Sequence, residues 1–402
     1  MSGKQIGEAE KIREEMVSFL RDIVEIPSPS CEEKEVADRT KSEMERLEYD
    51  EVKIDSFGNV LGRIGNGEKI ILYDSHMDTV GIGDPEAWAH DPYKGKVEDG
   101  IVYGRGTGDN KGGLASMVYG GALAKKMGAL DGVTLYVVGS AQEESCDGLA
   151  YKTIITEDGL RPDVVVLGEC TGLKIYRGQR GRMEITVTTR GKSSHASAPD
   201  RGENAIYKMM NIIKGIERLN QNLRDDDFLG KGTVAVTKME VDTPSLNAIP
   251  DKAVIYIDRR LTAGETKESA MAEIEDIAGG EGEVEILQYK ATSYTGKKAG
   301  MEKYYPAWHL DPEHHALKSA ESAFKEIFGE EPVVDKWTFS TNGVYTAGIE
   351  GIPTFGLGPS VEEVTHSVDD QVSIDDLVRA AAFYAGYPAF FYKSQRINTG
   401  II

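Results

Sequence analysis

Ile70-Ile71-Leu72-Tyr73-Asp74-Ser75-His76-Met77-Asp78 is an apolar, strand-like run that ends in a histidine and a carboxylate. The same grammar recurs along the chain. Val133-Thr134-Leu135-Tyr136-Val137-Val138 leads into Glu143-Glu144, Val164-Val165-Val166-Leu167 leads into Glu169, and the turn Gly104-Arg105-Gly106-Thr107-Gly108 ends at Asp109. Open α/β sheets gather their ligands just past such apolar runs. With 67 Asp and Glu in the chain, any one of these acids alone reads as a solvated loop charge. Their repeated coincidence with strand ends does not. Together with His366 they amount to two imidazoles and several carboxylates, the ligands that a pair of divalent cations needs. Imidazole nitrogen and carboxylate oxygen suit Zn²⁺ and its neighbours, and one carboxylate can bridge two ions roughly 3.5–4 Å apart.

Spacing assigns some roles and leaves others open. Asp109 lies between the other candidates, with room on either side for a strand–helix excursion, so it is the candidate for the shared ligand. Asp78, two residues past His76, is placed to accept the other imidazole N–H and fix its tautomer. Glu143 and Glu144 are adjacent, so their side chains diverge. One can bind metal while the other faces the water between the ions, takes its proton and later delivers it to a leaving amine. Spacing does not say which is which. Cys146 and Cys170 fall beside these residues and offer thiolate ligation as a rival, but small buried fillers are the expectation.

The chain has 402 residues, 40% of them hydrophobic, with 45 Gly and 14 Pro, which predicts a folded protein of two domains. Its net charge of −21 argues against nucleic acid as a partner. No apolar run approaches the roughly 18–20 residues of a membrane span, and no secretion leader is expected. Three cysteines without a C-x-x-C pair predict reduced thiols and a cytoplasmic home. Ser30-Cys31-Glu32-Glu33 has capping-box spacing and predicts a helix over about 31–48. The small residues between Lys111 and Met127 predict a helix packed closely on a sheet, and Ser373 is expected to cap a final helix to about 393. Between these ends the style changes. Strand about 183–188, helix about 203–220, strands about 232–240 and 252–260, helix about 265–278 and strand about 283–290 follow the ferredoxin-like β-α-β-β-α-β order. The fold expected is therefore two-domain α/β. Residues 1–177 and 292–402 form a discontinuous α/β/α metal-binding catalytic domain, and 178–291 an inserted domain. The stretch 292–335 shows no period.

The wording of these motifs resembles metallopeptidase family M20, which includes succinyl-diaminopimelate desuccinylase, acetylornithine deacetylase and glutamate carboxypeptidase. Ser75-His76-Met77-Asp78-Thr79-Val80, Tyr103 to Gly113, Gln142-Glu143-Glu144, Gly168-Glu169, Ser193-Ser194-His195-Ala196-Ser197, Asn247-Ala248-Ile249-Pro250 and Thr365-His366-Ser367 match it in order. The length and the wording near Asp109 also resemble the hydrolase branch linked to selenium metabolism. The resemblance implies one ion on His76, Asp109 and Glu169, and a second on Asp109, Glu144 and His366. It makes Glu143 the base and places Asp78 beside it in the catalytic set. It makes the inserted domain a lid and dimer contact, whose His195 stabilises the oxyanion, often across the dimer interface. Asn247 and Arg260 match positions that contact substrate, and Asn342 stands near the substrate where many relatives carry Asp. The activity implied is hydrolysis of a linear C–N bond in an N-acyl amino acid or small dipeptide. The expected cofactor is two Zn²⁺ per chain, with Mn²⁺ or Co²⁺ workable, in a homodimer. An N-carbamoyl amino acid amidohydrolase, a dinuclear phosphoesterase and a non-catalytic small-molecule-binding paralogue are the rivals.

Overall fold

A computed structural model describes residues 3–398, so Met1, Ser2 and the last four residues lie outside the described part. The apolar runs become the centre of a nine-stranded sheet. Lys69–His76 lies parallel to Val133–Ser140 on one side and to Val164–Leu167 on the other, and Thr354–Gly356 adds a further parallel strand. These strands are buried along most of their length, which is why they read as continuous apolar runs rather than alternating ones. Parallel alignment brings His76 level with Ser140 and sets their exits, with that of Leu167, on one edge.

Helix Gly112–Met127 packs between this sheet and the terminal helix Ile374–Asn398, and its small residues are the reason it can. A Cβ on Gly120 would lie 2.7 Å from Tyr384 Cβ and 2.9 Å from the Ala381 carbonyl oxygen. Ser373 caps the terminal helix as expected, accepting the Asp376 N–H at 3.3 Å. The expected cap at Ser30 does not form. The helix runs Lys34–Arg46 with no side-chain cap, because Ser30 Oγ donates to Asp78 Oδ2 at 2.6 Å instead.

A second, antiparallel sheet holds Thr233–Asp242, Lys252–Leu261, Gly181–Arg190 and Gly282–Ile286 in that spatial order. Helices Ala205–Asn222 and Lys267–Ala278 accompany it, capped by Asn204 and by a Thr266–Ser269 capping box. Its two central strands, Gly181–Arg190 and Lys252–Leu261, alternate strictly, and Met183, Ile185 and Val187 form a separate core with Met209, Ile212 and Ile274. The strand expected to reach about 290 stops at Ile286. Gln288–Thr292 leaves the sheet and pairs with Lys298–Glu302 as a hairpin of its own.

Arg259, fully buried at the rim of this second core, is ion-paired to Glu265 and, at 3.1 Å, to Glu273. Removing one partner of such a pair strands an uncompensated charge. Arg259→Leu is expected to destabilise by about 3–5 kcal/mol, read as a lowered midpoint of chemical unfolding.

Candidate metal centre

The sheet edge supplies most of the site. His76 closes its strand, and the neighbouring strand delivers Glu143 and Glu144 three and four residues beyond Ser140. Glu169 follows Leu167 by two residues on the other side. Asp109 sits in the tight turn Thr107–Lys111 that heads helix Gly112–Met127. A Cβ on Gly113 would come 2.4 Å from both Asn110 Oδ1 and the Gly168 carbonyl oxygen, so glycine is what lets this turn seat against the sheet. His366 arrives from a loop after Glu362–Val364 and has a φ of 55°, a left-handed conformation that surroundings must impose on it.

Five of the ligand candidates and Glu143 converge. His76 Nε2 lies 3.0 Å from Asp109 Oδ1, 3.8 Å from Glu169 Oε1 and 4.0 Å from Glu143 Oε2. The second oxygen of Asp109 lies 3.3 Å from His366 Nε2, which is 2.9 Å from Glu144 Oε2. Asp109 thus offers one oxygen to each histidine, the disposition of a shared ligand. Ligand atoms of His76, Glu143 and Glu169, and of His76, Asp109 and Glu144, fall within 4.8 Å of one another. Glu143 therefore stands as close to His76 and Glu169 as a ligand would. All but His366, whose side chain is 54% exposed, are almost wholly buried.

The charges show what such a cluster can hold. Burial pushes the carboxyls of Glu143 and Glu169 well above the ordinary range and raises that of Glu144. Burial acts the same way on Asp109, but hydrogen bonds from His366 and His76 override it and hold the group well below the ordinary range. Hydrogen bonds to Asp109 and Glu144 push the His366 imidazole up to about 10. Among the described residues, the buried oxygens Glu143 Oε1 and Glu144 Oε1 have no hydrogen-bond partner. Acceptors in excess, desolvated and converging, fit divalent cations by donor type and by charge. The cysteines do not join them. Burial pushes Cys146 up to about 12 and Cys170 well above the ordinary thiol range, and Cys170 Sγ donates to the Gly108 carbonyl at 3.2 Å.

Asp78 requires a correction. His76 Nδ1 lies 2.8 Å from the backbone carbonyl of Asp78 and 3.6 Å from its carboxylate, so the carbonyl fixes the tautomer. The carboxylate turns the other way and accepts the N–H groups of Glu143 at 3.0 Å and Glu144 at 3.1 Å. It holds the backbone that carries both glutamates.

The remaining candidates stand apart from the cluster. Among the described residues no hydrogen bond or ion pair joins His195, Asn247 or Arg260 to it. His195 is exposed, and its Nδ1 accepts the Ser197 N–H at 3.1 Å, which leaves the neutral ring's proton on Nε2. Exposed Asn247 lies beside it, accepting the Ala196 N–H at 2.7 Å through its backbone carbonyl. The Arg260 guanidinium is already forked onto Asp258, at 2.8 and 3.1 Å. Asn342 is buried and engaged within the fold. Its Nδ2 donates to Asp74 at 2.9 Å and Ser140 at 3.1 Å, and its Oδ1 accepts the Gly148 N–H at 2.8 Å. That carboxamide ties two strands to the loop after Glu144, so the residue expected to contact substrate has its side chain engaged within the fold. Sequence reasoning missed Glu33, taken for a capping partner and found buried against the same loop.

Similar proteins match nearly the whole chain. A protein of Escherichia coli (strain K12), named only as uncharacterized protein YgeY, is 46% identical over 94% of this chain and 95% of its own length. A succinyl-diaminopimelate desuccinylase of Rhodospirillum centenum is 25% identical over 92% of this chain and 95% of its own. Among solved structures, a dinuclear metal binding peptidase of Bacillus subtilis superposes with a TM-score of 0.71, at 17% identity, over 96% of this chain and 99% of its own. The sequence pattern of peptidase family M20/M25/M40 matches residues 72–389, and the chain belongs to that family.

Proposed function

We propose that this metal-dependent amide hydrolase cuts the linear C–N bond of an N-acyl amino acid or a small dipeptide, with two zinc ions per chain. The observation that carries the reading is Asp109, which offers one oxygen to His76 and the other to His366 beside an unpartnered Glu143 Oε1. In this reading His76, Asp109 and Glu169 hold one ion, and Asp109, Glu144 and His366 the second. Bound divalent cations supply Lewis acidity toward water and toward the substrate carbonyl. Glu143 takes the proton of the attacking water at Oε1 and delivers it to the leaving amine. His195 Nε2–H is the donor for the oxyanion, and Asn247 and Arg260 face the substrate, Arg260 by releasing Asp258 to a ligand carboxylate.

Residues 178–291 act in this proposal as lid and dimer contact. Strand Thr233–Asp242 is an edge with Met239 and Val241 exposed, and Leu246 just beyond it is 98% exposed. Tyr207 and Met210 stand exposed on the accompanying helix. An open edge strand with apolar side chains exposed among its charged ones is a surface that a partner can cover, here a second copy. A cytoplasmic setting agrees with three free cysteines, and no helix among the described residues is long and apolar enough to cross a membrane.

Elemental analysis of metal-saturated protein is expected to give two ions per chain. His76→Ala and His366→Ala should each reduce this toward one, and one ion or none in the unaltered protein would defeat the dinuclear reading. A panel of N-acetyl, N-succinyl and N-carbamoyl amino acids and dipeptides then reads the substrate class. Turnover of the carbamoyl compounds alone would favour the amidohydrolase alternative.

A further inference from the structure

Four consecutive amides of the catalytic loop are held by side chains from other segments. The N–H of Ala141 donates to Asn59 Oδ1, that of Gln142 to Glu33 Oε1, and those of Glu143 and Glu144 to the two oxygens of Asp78, all at 3.0–3.1 Å. Gln142 has a φ of 59°, a left-handed conformation that a residue with a side chain keeps only where its surroundings over-determine it. Glu33 is the group that does so. Its side chain is wholly buried, and Oε1 accepts both its own segment's Cys31 N–H and the Gln142 N–H, each at 3.0 Å. A serine or asparagine would serve a turn at Cys31. The longer carboxylate spans from the N-terminal segment to the loop, and nothing in the proposed chemistry uses it. Tyr289 completes the turn by donating its hydroxyl to Gln142 Oε1 at 3.3 Å.

We propose that Glu33 is a positioning residue, which fixes the left-handed turn at Gln142 and thereby aims the Glu143 carboxyl at the metal centre. The inference rests on the reading of Glu143 as the base. Loss of the clamp frees the left-handed turn at Gln142, while Asn59 still holds Ala141 before it and Asp78 still holds Glu143 and Glu144 after it, so metal binding survives and alignment does not. Displacement of a reacting group by about 1 Å costs on the order of 10²-fold in rate.

The test compares Glu33→Ala, Glu33→Met and Glu33→Gln in metal-loaded, full-length protein. Glu33→Gln keeps an acceptor oxygen and is expected to keep turnover within about threefold, since the clamp needs an acceptor rather than a charge. Glu33→Ala, or Glu33→Met if the smaller side chain leaves an unstable cavity, is expected to lose about 10²-fold in kcat with KM and metal content unchanged. Hydrogen exchange supplies a readout independent of any substrate. The amides of 141–144 should exchange faster in these two variants and not in Glu33→Gln, while the rest of the sheet keeps its protection. Added to Glu143→Gln, Glu33→Ala should cost less than about threefold more, because the group it positions is already disabled. Unchanged exchange, a fully additive loss, or failure of both Ala and Met variants to fold would overturn the proposal. An active Glu143→Gln would sink the base reading itself, whereas an inactive one beside an unimpaired Glu33→Ala would sink only the clamp.

Discussion

Glu143→Gln is expected to keep both metal ions and to lose about 10²–10⁴-fold in turnover, the range of a general acid–base contribution. The substitution preserves shape and one carbonyl-type oxygen but removes the site that carries a proton. The geometry makes this a demanding test. Glu143 Oε2 is 4.0 Å from His76 Nε2, and its ligand atom falls in the same cluster as those of His76 and Glu169. A cation drawn into that cluster could take Glu143 as a ligand, and Gln would then cost metal as well as rate. Glu144 is the contrast, because its Oε2 lies 2.9 Å from His366 Nε2, while its ligand atoms also reach His76 and Asp109, and it is proposed as a ligand rather than a base. Glu144→Gln is expected to lower metal content, and activity with it. Elemental analysis beside initial rates for both variants decides the matter. Equal metal loss in the two would end the division of labour between these neighbours.

What was legible in the sequence, and what was not, follows from how each feature is held together. Strands buried on both faces leave continuous apolar runs, and such runs announced His76, Glu143, Glu144 and Glu169 by marking where they end. Alternation over Met183–Thr188 announced the first strand of the second sheet, within what became Gly181–Arg190. The hairpin Gln288–Thr292 with Lys298–Glu302 gave no such sign, because strands of five residues with mostly exposed or half-buried positions leave no period to read. Hydrogen bonds between a side chain and a distant backbone leave none either. Glu33 sits 109 positions before the amide it holds, and its local spacing from Ser30 is that of a capping box. The local pattern pointed to the wrong partner. Asp78 was found by its nearness to His76, yet its carboxylate serves the far side of the site and its carbonyl serves the histidine. Proximity in sequence named the residue but not the atom.

His195 presents the opposite case, a residue conspicuous in the sequence and distant from the cluster in its own chain's contacts. His195→Ala is expected to leave metal content intact and to lower turnover by about 10²–10³-fold, the cost of one oxyanion donor. The proposed donor has its proton in place, since the Ser197 amide occupies Nδ1 and leaves the proton on Nε2. The segment that carries it also carries the exposed apolar edge proposed as the dimer contact, so the site it completes is expected to be the partner's. Inactive Glu143→Gln and inactive His195→Ala proteins, mixed under subunit exchange, then regain activity. Each mixed dimer has one site that combines an intact Glu143 with a borrowed intact His195, and one site that lacks both. Equal amounts with complete exchange should recover about a quarter of the unaltered turnover, because about half the dimers are mixed. Native mass spectrometry verifies the exchange independently of rate. Mixed dimers without recovery would assign His195 to its own chain's site if His195→Ala alone is impaired, and to structure alone if it is not. A protein that stays monomeric at assay concentrations yet turns over substrate at full rate would rule out the borrowed histidine altogether.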